Sequence, residues 1–419
     1  MKKTCLVLLG LLWCAALPAK NFELKSPDGR IALAIDVGER IAYTVRGDGI
    51  PLLEECRLGL RLDRGGTAGP LRLMRHRSGS IDRTFRPTVA YKFSEIRDRC
   101  NTLRLDFRGD WSVEFRAYDD GVAYRFLSDT EGPVEVLGEE FALRLPDAST
   151  AVLQQPGSFR TGYEEAYEEV GTRSWGTAGR LAVLPALFDT KRGYKILVSE
   201  SSLTDYPCLF LTGDGANGMR GVFPKMPLRT EETGDRSVRI LEEAGCIAAT
   251  TGERAFPWRY FVLADEDGDL VETTMTARLA EPCALGDTSW IEPGQVSWEF
   301  WNAASPYGPD VDFVAGFNTA TYKYFIDFAA RFGIPYIIMD EGWAEDTRDP
   351  YTPNPEVDLH ELIRYGEERG VGVILWLTWL TVEKHFDLFE RLSEWGVRGV
   401  KIDFMDRSDQ WMVNYYERV

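Results

Sequence analysis

From residue 297 onward the chain alternates strand-like and helix-like stretches, and that alternation leaves few architectures open. Ser297-Trp298-Glu299-Phe300-Trp301 is read as a strand, and Tyr322, Phe325, Ile326, Ala329 and Phe332 form a helical apolar stripe closed by Gly333. Pro335-Tyr336-Ile337-Ile338-Met339-Asp340 is a second strand, 359–369 a second helix closed by Gly370, and 371–379 a third strand. Residues 382–395, closed by Gly396, form a third helix that leads into the strand around Gly399-Val400-Lys401-Ile402-Asp403, and 410–419 open another helix. This order specifies a parallel sheet with right-handed crossovers. A doubly wound sheet would accept the same strands, but no glycine-rich phosphate turn follows the first of them. The units amount to the first half of a (β/α)8 barrel, whose whole length is ~250 residues. The 419 residues are therefore expected to be a truncated piece of a longer protein.

The preceding part has a different grammar. Arg30-Ile31-Ala32-Leu33-Ala34-Ile35 and Ile41-Ala42-Tyr43-Thr44-Val45 alternate apolar and polar residues around Gly-containing turns, and 103–107, 113–115 and 122–126 repeat the pattern. Many short strands without a long helical period predict two packed antiparallel sheets, an outsized β-sandwich. Pro282, Gly286 and Pro293 mark the connection, so the expected division is a leader over 1–19, a sandwich over 20–285 and the half barrel over 286–419.

Within the last strand, alternation places Val400, Ile402 and Phe404 on one face and Gly399, Lys401 and Asp403 on the other. Charged inward residues in a barrel belong at the C-terminal ends of strands, where substrates bind. An ammonium beside a carboxylate favours its ionised form, which is what a nucleophile requires. A structural Lys-Asp pair at the barrel end is the competing reading.

Three other strand ends could face the same pocket: Trp301-Asn302, Asp340-Glu341-Gly342-Trp343, and the stretch containing Trp376 and Trp379. Carboxylates accept hydrogen bonds from hydroxyls, and aromatic faces pack against sugar rings. Glycoside hydrolysis uses two carboxyl groups, one to attack or to activate water and one to donate a proton. Asp403 suits the first role, with Asp340 or Glu341 binding hydroxyls. For each Trp, core packing is the alternative.

The net charge of -18 argues against nucleic acid as a partner. Lys2 and Lys3, an apolar run from Cys5 to Leu12 and the small-residue end Leu17-Pro18-Ala19 read as a secretory signal cleaved after Ala19. That run is too short to span a membrane, and no later stretch is long enough. Outside the leader, Cys56, Cys100, Cys208, Cys246 and Cys283 are too irregularly spaced for a disulfide framework. With His76, His360 and His385 as the only histidines, a His-based metal site or a Ser-His-Asp triad has little to be built from.

Several of these stretches carry a resemblance. Residues 300–307, 336–343 and 373–379, and above all Gly399-Val400-Lys401-Ile402-Asp403-Phe404-Met405-Asp406-Arg407 with Asp409-Gln410, resemble the barrel of glycoside hydrolase family 97. Residues 117–126 and 198–207 resemble that family's sandwich domain. The resemblance implies a periplasmic, exo-acting α-glycosidase acting on oligosaccharides or glycosides, with a calcium ion at its active site. Asp403 matches the nucleophile of the retaining branch, which is similar to α-galactosidases. Lys401 and Asp340 then match sugar-binding positions, with Trp301 and Trp376 as aromatic platforms. Glu200 is the calcium ligand expected on the sandwich, Glu164 the second choice. The family's acid/base Glu is expected beyond Val419. An α-glucosidase, or an inactive carbohydrate-binding remnant, remains the alternative.

Overall fold

A computed structural model of the chain describes residues 20–67, 69–175, 180–215 and 218–419. The expected leader, with Cys5 and Cys14, lies outside the described residues.

From Lys20–Lys25 to Trp258–Ala264 the described chain is strand after strand. Ile31–Val37 and Ile41–Gly47 bury every second residue, as the alternation requires: Ile31, Leu33, Ile35 and Val37 in one, Ile41, Tyr43 and Val45 in the other. The expectation of two antiparallel layers is borne out with one correction. The strands are linked into a single 16-stranded hydrogen-bonded network among the described residues. The 24-residue strand Gly121–Arg144 makes the link, pairing along its length with Trp111–Tyr118, Trp258–Ala264, Ala248–Ala255, Ile50–Leu62 and Gly218–Val222. Its ladders shift register between Thr251 and Glu253 and between Arg61 and Leu62. Irregularities of this kind bend and twist a strand, which lets one strand serve both sides of a common core built around Tyr43, Tyr124, Phe141 and Phe261.

Pro227–Glu232 and Val238–Glu243 form a separate antiparallel pair. Val238 belongs to the apolar core of the second domain, so this hairpin of the first domain is docked on the second. The five cysteines among the described residues are free.

The second domain contains a four-stranded parallel sheet in sequence order: Val296–Trp298, Tyr336–Met339, Gly372–Thr378 and Gly399–Asp403. Helices Thr319–Phe332 and Leu359–Glu367 provide the first two crossovers. Thr319–Phe332 begins where the Asn318 side chain accepts from Thr321 N and ends where Gly333, at φ 68°, takes the left-handed conformation that closes helices. Two boundaries depart from the sequence reading. The first strand stops at Trp298, and Glu299–Asn302 turns into a 3-10 helix closed by Ala303 at φ 52°. The third helix is two pieces, Trp379–Lys384 and Leu388–Trp395: Thr378 at the strand end starts the first early by accepting from Thr381 N, and His385, at φ -126° and ψ 51°, ends it.

Candidate active site

Asp403 ends the fourth parallel strand and lies in register with Thr378, the last residue of the third; Lys401 is in register with Trp376. Val400 and Ile402 pack against the domain core, so alternation directs Lys401 and Asp403 to the opposite face. Lys401 Nζ lies 2.6 Å from Asp403 Oδ2 and 3.9 Å from Asp340 Oδ2. Trp376 Nε1 donates to Asp403 Oδ2 at 2.9 Å, and Phe404 N donates to Asp403 Oδ1 at 2.7 Å. Partial burial pushes the Asp403 carboxyl up, but Lys401 and these two N–H donors outweigh it and hold the carboxyl below its ordinary range. The expected cluster of Asp403, Lys401, Asp340 and Trp376 is therefore one constellation at the strand ends.

Phe404 does not continue the apolar face, contrary to the alternation. It leaves the strand at φ 67° and is partly exposed. The turn begins after its N–H, which stays in the peptide plane shared with Asp403 and points at that carboxylate.

Two residues join the site that the strand pattern does not single out. Trp298 Nε1 donates to Asp340 Oδ2 at 2.7 Å, and its ring lies 4.9 Å from Lys401 Nζ. Beneath it Glu299 is buried, its Oε1 accepting from Asp340 N at 2.7 Å and from Tyr322 Oη at 3.0 Å. Burial pushes the Glu299 carboxyl up to about 7, against the pull of the Asp340 N–H. The signal for both is the length of the first strand: once it ends at Trp298, Trp298 is the strand-end aromatic. Trp301 is instead 78% exposed on the 3-10 helix, its ring edge-on to Trp298 at 5.5 Å.

Trp343 and Trp379 are buried. Trp343 Nε1 donates to Trp376 O at 2.8 Å and braces the strand that carries Trp376. Trp379 Nε1 donates to Arg236 O at 2.8 Å and so anchors the docked hairpin. Glu341 receives Arg236 at both carboxylate oxygens, at 2.8 and 3.0 Å.

The loop after Asp403 rests on the sandwich. Thr161 N donates to Asp406 O at 3.0 Å, Cys208 N to Ser408 O at 2.9 Å, and Tyr163 Oη is 2.7 Å from Ser408 Oγ. The sandwich thus supports the segment that follows the carboxylate.

The resemblance makes Glu200 the expected calcium ligand on the sandwich. Glu200 is engaged inside the sandwich, where Oε2 pairs with the buried Arg259 and Oε1 accepts from Leu209 N at 3.2 Å. Burial pushes the Glu200 carboxyl up in spite of Arg259, and the oxygens a calcium ion would need are occupied. Glu164 is exposed. Among the described residues no group of three or more acidic, His or Cys side chains is placed to hold a metal. Among the described residues, Glu200 and Glu164 as they stand do not make a calcium site.

Residues 24–282 match the family described as "Glycosyl-hydrolase 97 N-terminal", and residues 298–419 match "Glycoside hydrolase 97". A retaining alpha-galactosidase of Bacteroides thetaiotaomicron is 36% identical over 433 residues, covering 100% of this chain and 65% of its own length. A probable retaining alpha-galactosidase of Streptomyces bingchenggensis is 31% identical, covering 94% of this chain and 58% of its own length. The chain therefore spans less than two thirds of these relatives. A glycoside hydrolase family 97 enzyme from Pseudoalteromonas sp. strain K8, solved in complex with acarbose, shares the fold at TM-score 0.78 and 21% identity, covering 95% of this chain and 64% of that one. Both domains are matched in order, and the chain belongs to glycoside hydrolase family 97.

Proposed function

We propose that this protein is a retaining α-galactosidase that removes terminal α-linked galactose from oligosaccharides, with Asp403 as its nucleophile. One observation carries the reading: an ionised carboxylate at a parallel-strand end, held by Lys401, Trp376 and its own following N–H, with Asp340 on the other side of the ammonium. An Asp403 oxygen attacks the anomeric carbon, the bond from that carbon to the leaving oxygen breaks, and its electron pair departs with that oxygen, which takes up a proton. Water then adds to the anomeric carbon as its bond to Asp403 breaks, and the water gives up one proton, which offsets the one the leaving oxygen took up; two displacements retain the configuration. Asp340, fixed by Trp298 Nε1 and its own backbone, accepts a hydrogen bond from a sugar hydroxyl. Lys401 donates to another hydroxyl while balancing Asp403.

The choice of galactose is supported by two relatives of 36% and 31% identity named as retaining alpha-galactosidases. Export to the periplasm, expected from the leader, belongs to the same proposal. Treatment of the full-length protein with an activated α-galactoside carrying fluorine at C2 is the test. Peptide mapping is expected to find the sugar on Asp403. A label on another carboxylate sinks the assignment, and turnover with inversion sinks the retaining mechanism.

A further inference from the structure

We propose that Arg236, carried by the sandwich domain, is a positioning residue for Asp403 and acts through the ring of Phe404. The inference rests on the reading of Asp403 as nucleophile and adds a residue from the other domain to its support.

Phe404 is where the backbone is strained. A left-handed φ of 67° is uncommon for a bulky residue and persists when the surroundings hold it. The Phe404 N–H, which Asp403 Oδ1 accepts at 2.7 Å, lies in the peptide plane that joins the two residues, so whatever holds Phe404 in place also holds this donor. Were Phe404 to shift and turn that peptide plane, the carboxylate would lose one of its three donors.

Two contacts hold the ring. Its edge meets Trp376 at 6.2 Å and 87°, and the Arg236 guanidinium lies 4.8 Å from its centroid. A guanidinium at that distance from a ring is attracted by its face. Arg236 is itself tied down from several sides. Glu341 grips it through two oxygens, at 2.8 and 3.0 Å, and Asp235 does so at 2.7 and 2.9 Å.

The hairpin tip is also fixed by its backbone. Asp235 O accepts from Thr378 Oγ1 at 3.0 Å, Arg236 O accepts from Trp379 Nε1 at 2.8 Å, and Asp235 Oδ2 accepts from Thr347 Oγ1 at 2.6 Å. These partners lie at the end of the third parallel strand and after the second, so the tip is registered against the strands that present Asp340 and Trp376. Outside its own hairpin, the Arg236 side chain meets, among the described residues, Glu341 and the rings of Trp376 and Phe404.

The test uses the full-length protein in four forms: wild type, Arg236→Met, Phe404→Leu and the double variant. Each is checked by thermal melting, then assayed for labelling by the fluorinated α-galactoside and for turnover of an aryl α-galactoside across pH. Arg236→Met is expected to slow labelling and lower kcat by about tenfold with KM held. It should also move the acid limb of the profile to higher pH, as Asp403 loses a donor. Phe404→Leu should do the same, and the double variant should be no slower than either alone, since both remove one device. Arg236→Lys, which keeps the cation, should recover part of the loss and stands in if the methionine variant fails to fold. Labelling of wild type and Arg236→Met at equal rates, or additive losses in the double variant, overturns the inference alone. Absence of label from Asp403 in wild type overturns both it and the reading it rests on.

Discussion

The Lys401 ammonium lies 2.6 Å from Asp403 Oδ2, on the same face of one strand, and Asp340 Oδ2 lies 3.9 Å from the same nitrogen. One cation therefore stands between two carboxylates, nearer to the one assigned to attack. Replacing Lys401 by Met removes the charge that most directly opposes protonation of Asp403. The acid limb of the kcat/KM profile is expected to move to higher pH, and kcat/KM at its optimum to fall about 100-fold. An unchanged acid limb would show that Lys401 does not set the ionisation of Asp403.

Trp376→Phe keeps an aromatic ring beside Phe404 and deletes only the Nε1 donor, which lies 2.9 Å from Asp403 Oδ2. A hydrogen bond to a charged group contributes ~1.5–3 kcal/mol. A loss of roughly 10- to 100-fold in the labelling rate is expected, with little change in melting temperature. A large drop in melting temperature with unchanged labelling would instead assign Trp376 to packing.

Glu299 predicts a pH-dependent stability. Its carboxyl is raised from 4.5 to about 7 by burial, so the fold favours the protonated form. The contribution of that form is whole below pH 4.5 and declines as pH rises through 7, by about 3 kcal/mol at pH 7. Glu299→Gln cannot ionise, so its stability relative to wild type should improve by that amount over the same interval. Urea unfolding at several pH values measures the difference; parallel curves would contradict it.

Arg259 is buried between Glu139, which it meets at 2.8 Å through two nitrogens, and Glu200. Arg259→Met would leave two buried carboxylates without their cation, and breaking a buried pair costs about 3–5 kcal/mol. Glu200→Gln should cost less, because Arg259 keeps both contacts to Glu139. Urea melts of the two variants give the order, and an equal or larger loss in Glu200→Gln refutes it.

Gly342 follows Glu341 at φ 121°, and a Cβ there would lie 2.9 Å from the Phe317 ring. Gly342→Ala is therefore expected to displace the Glu341 turn and with it the grip on Arg236. A slower Asp403 labelling rate in a folded protein would report that displacement.

Periodicity makes much of the site legible in the amino-acid sequence. The two-residue alternation of Gly399–Asp403 places Lys401 and Asp403 together, and the apolar run leading to Asp340 ends at the strand mouth. The same pattern misplaces Trp301, because the first strand is only three residues long and alternation does not tell a strand end from a 3-10 turn at Glu299. Glu200 escapes it as well, because its partner Arg259 stands 59 residues later, on the neighbouring strand.

By itself the sequence determined two things: a strand-rich domain followed by strand-helix units, and acidic residues at the ends of the parallel strands. Both are local properties, since side-chain direction follows backbone period within a few residues. Tertiary structure alone decided that a hairpin from the first domain reaches the second, where Arg236 meets Glu341 across 105 residues of chain and lies over the ring of Phe404. No local pattern encodes such a meeting, because it follows from how two cores pack against each other, with Val238 in one of them.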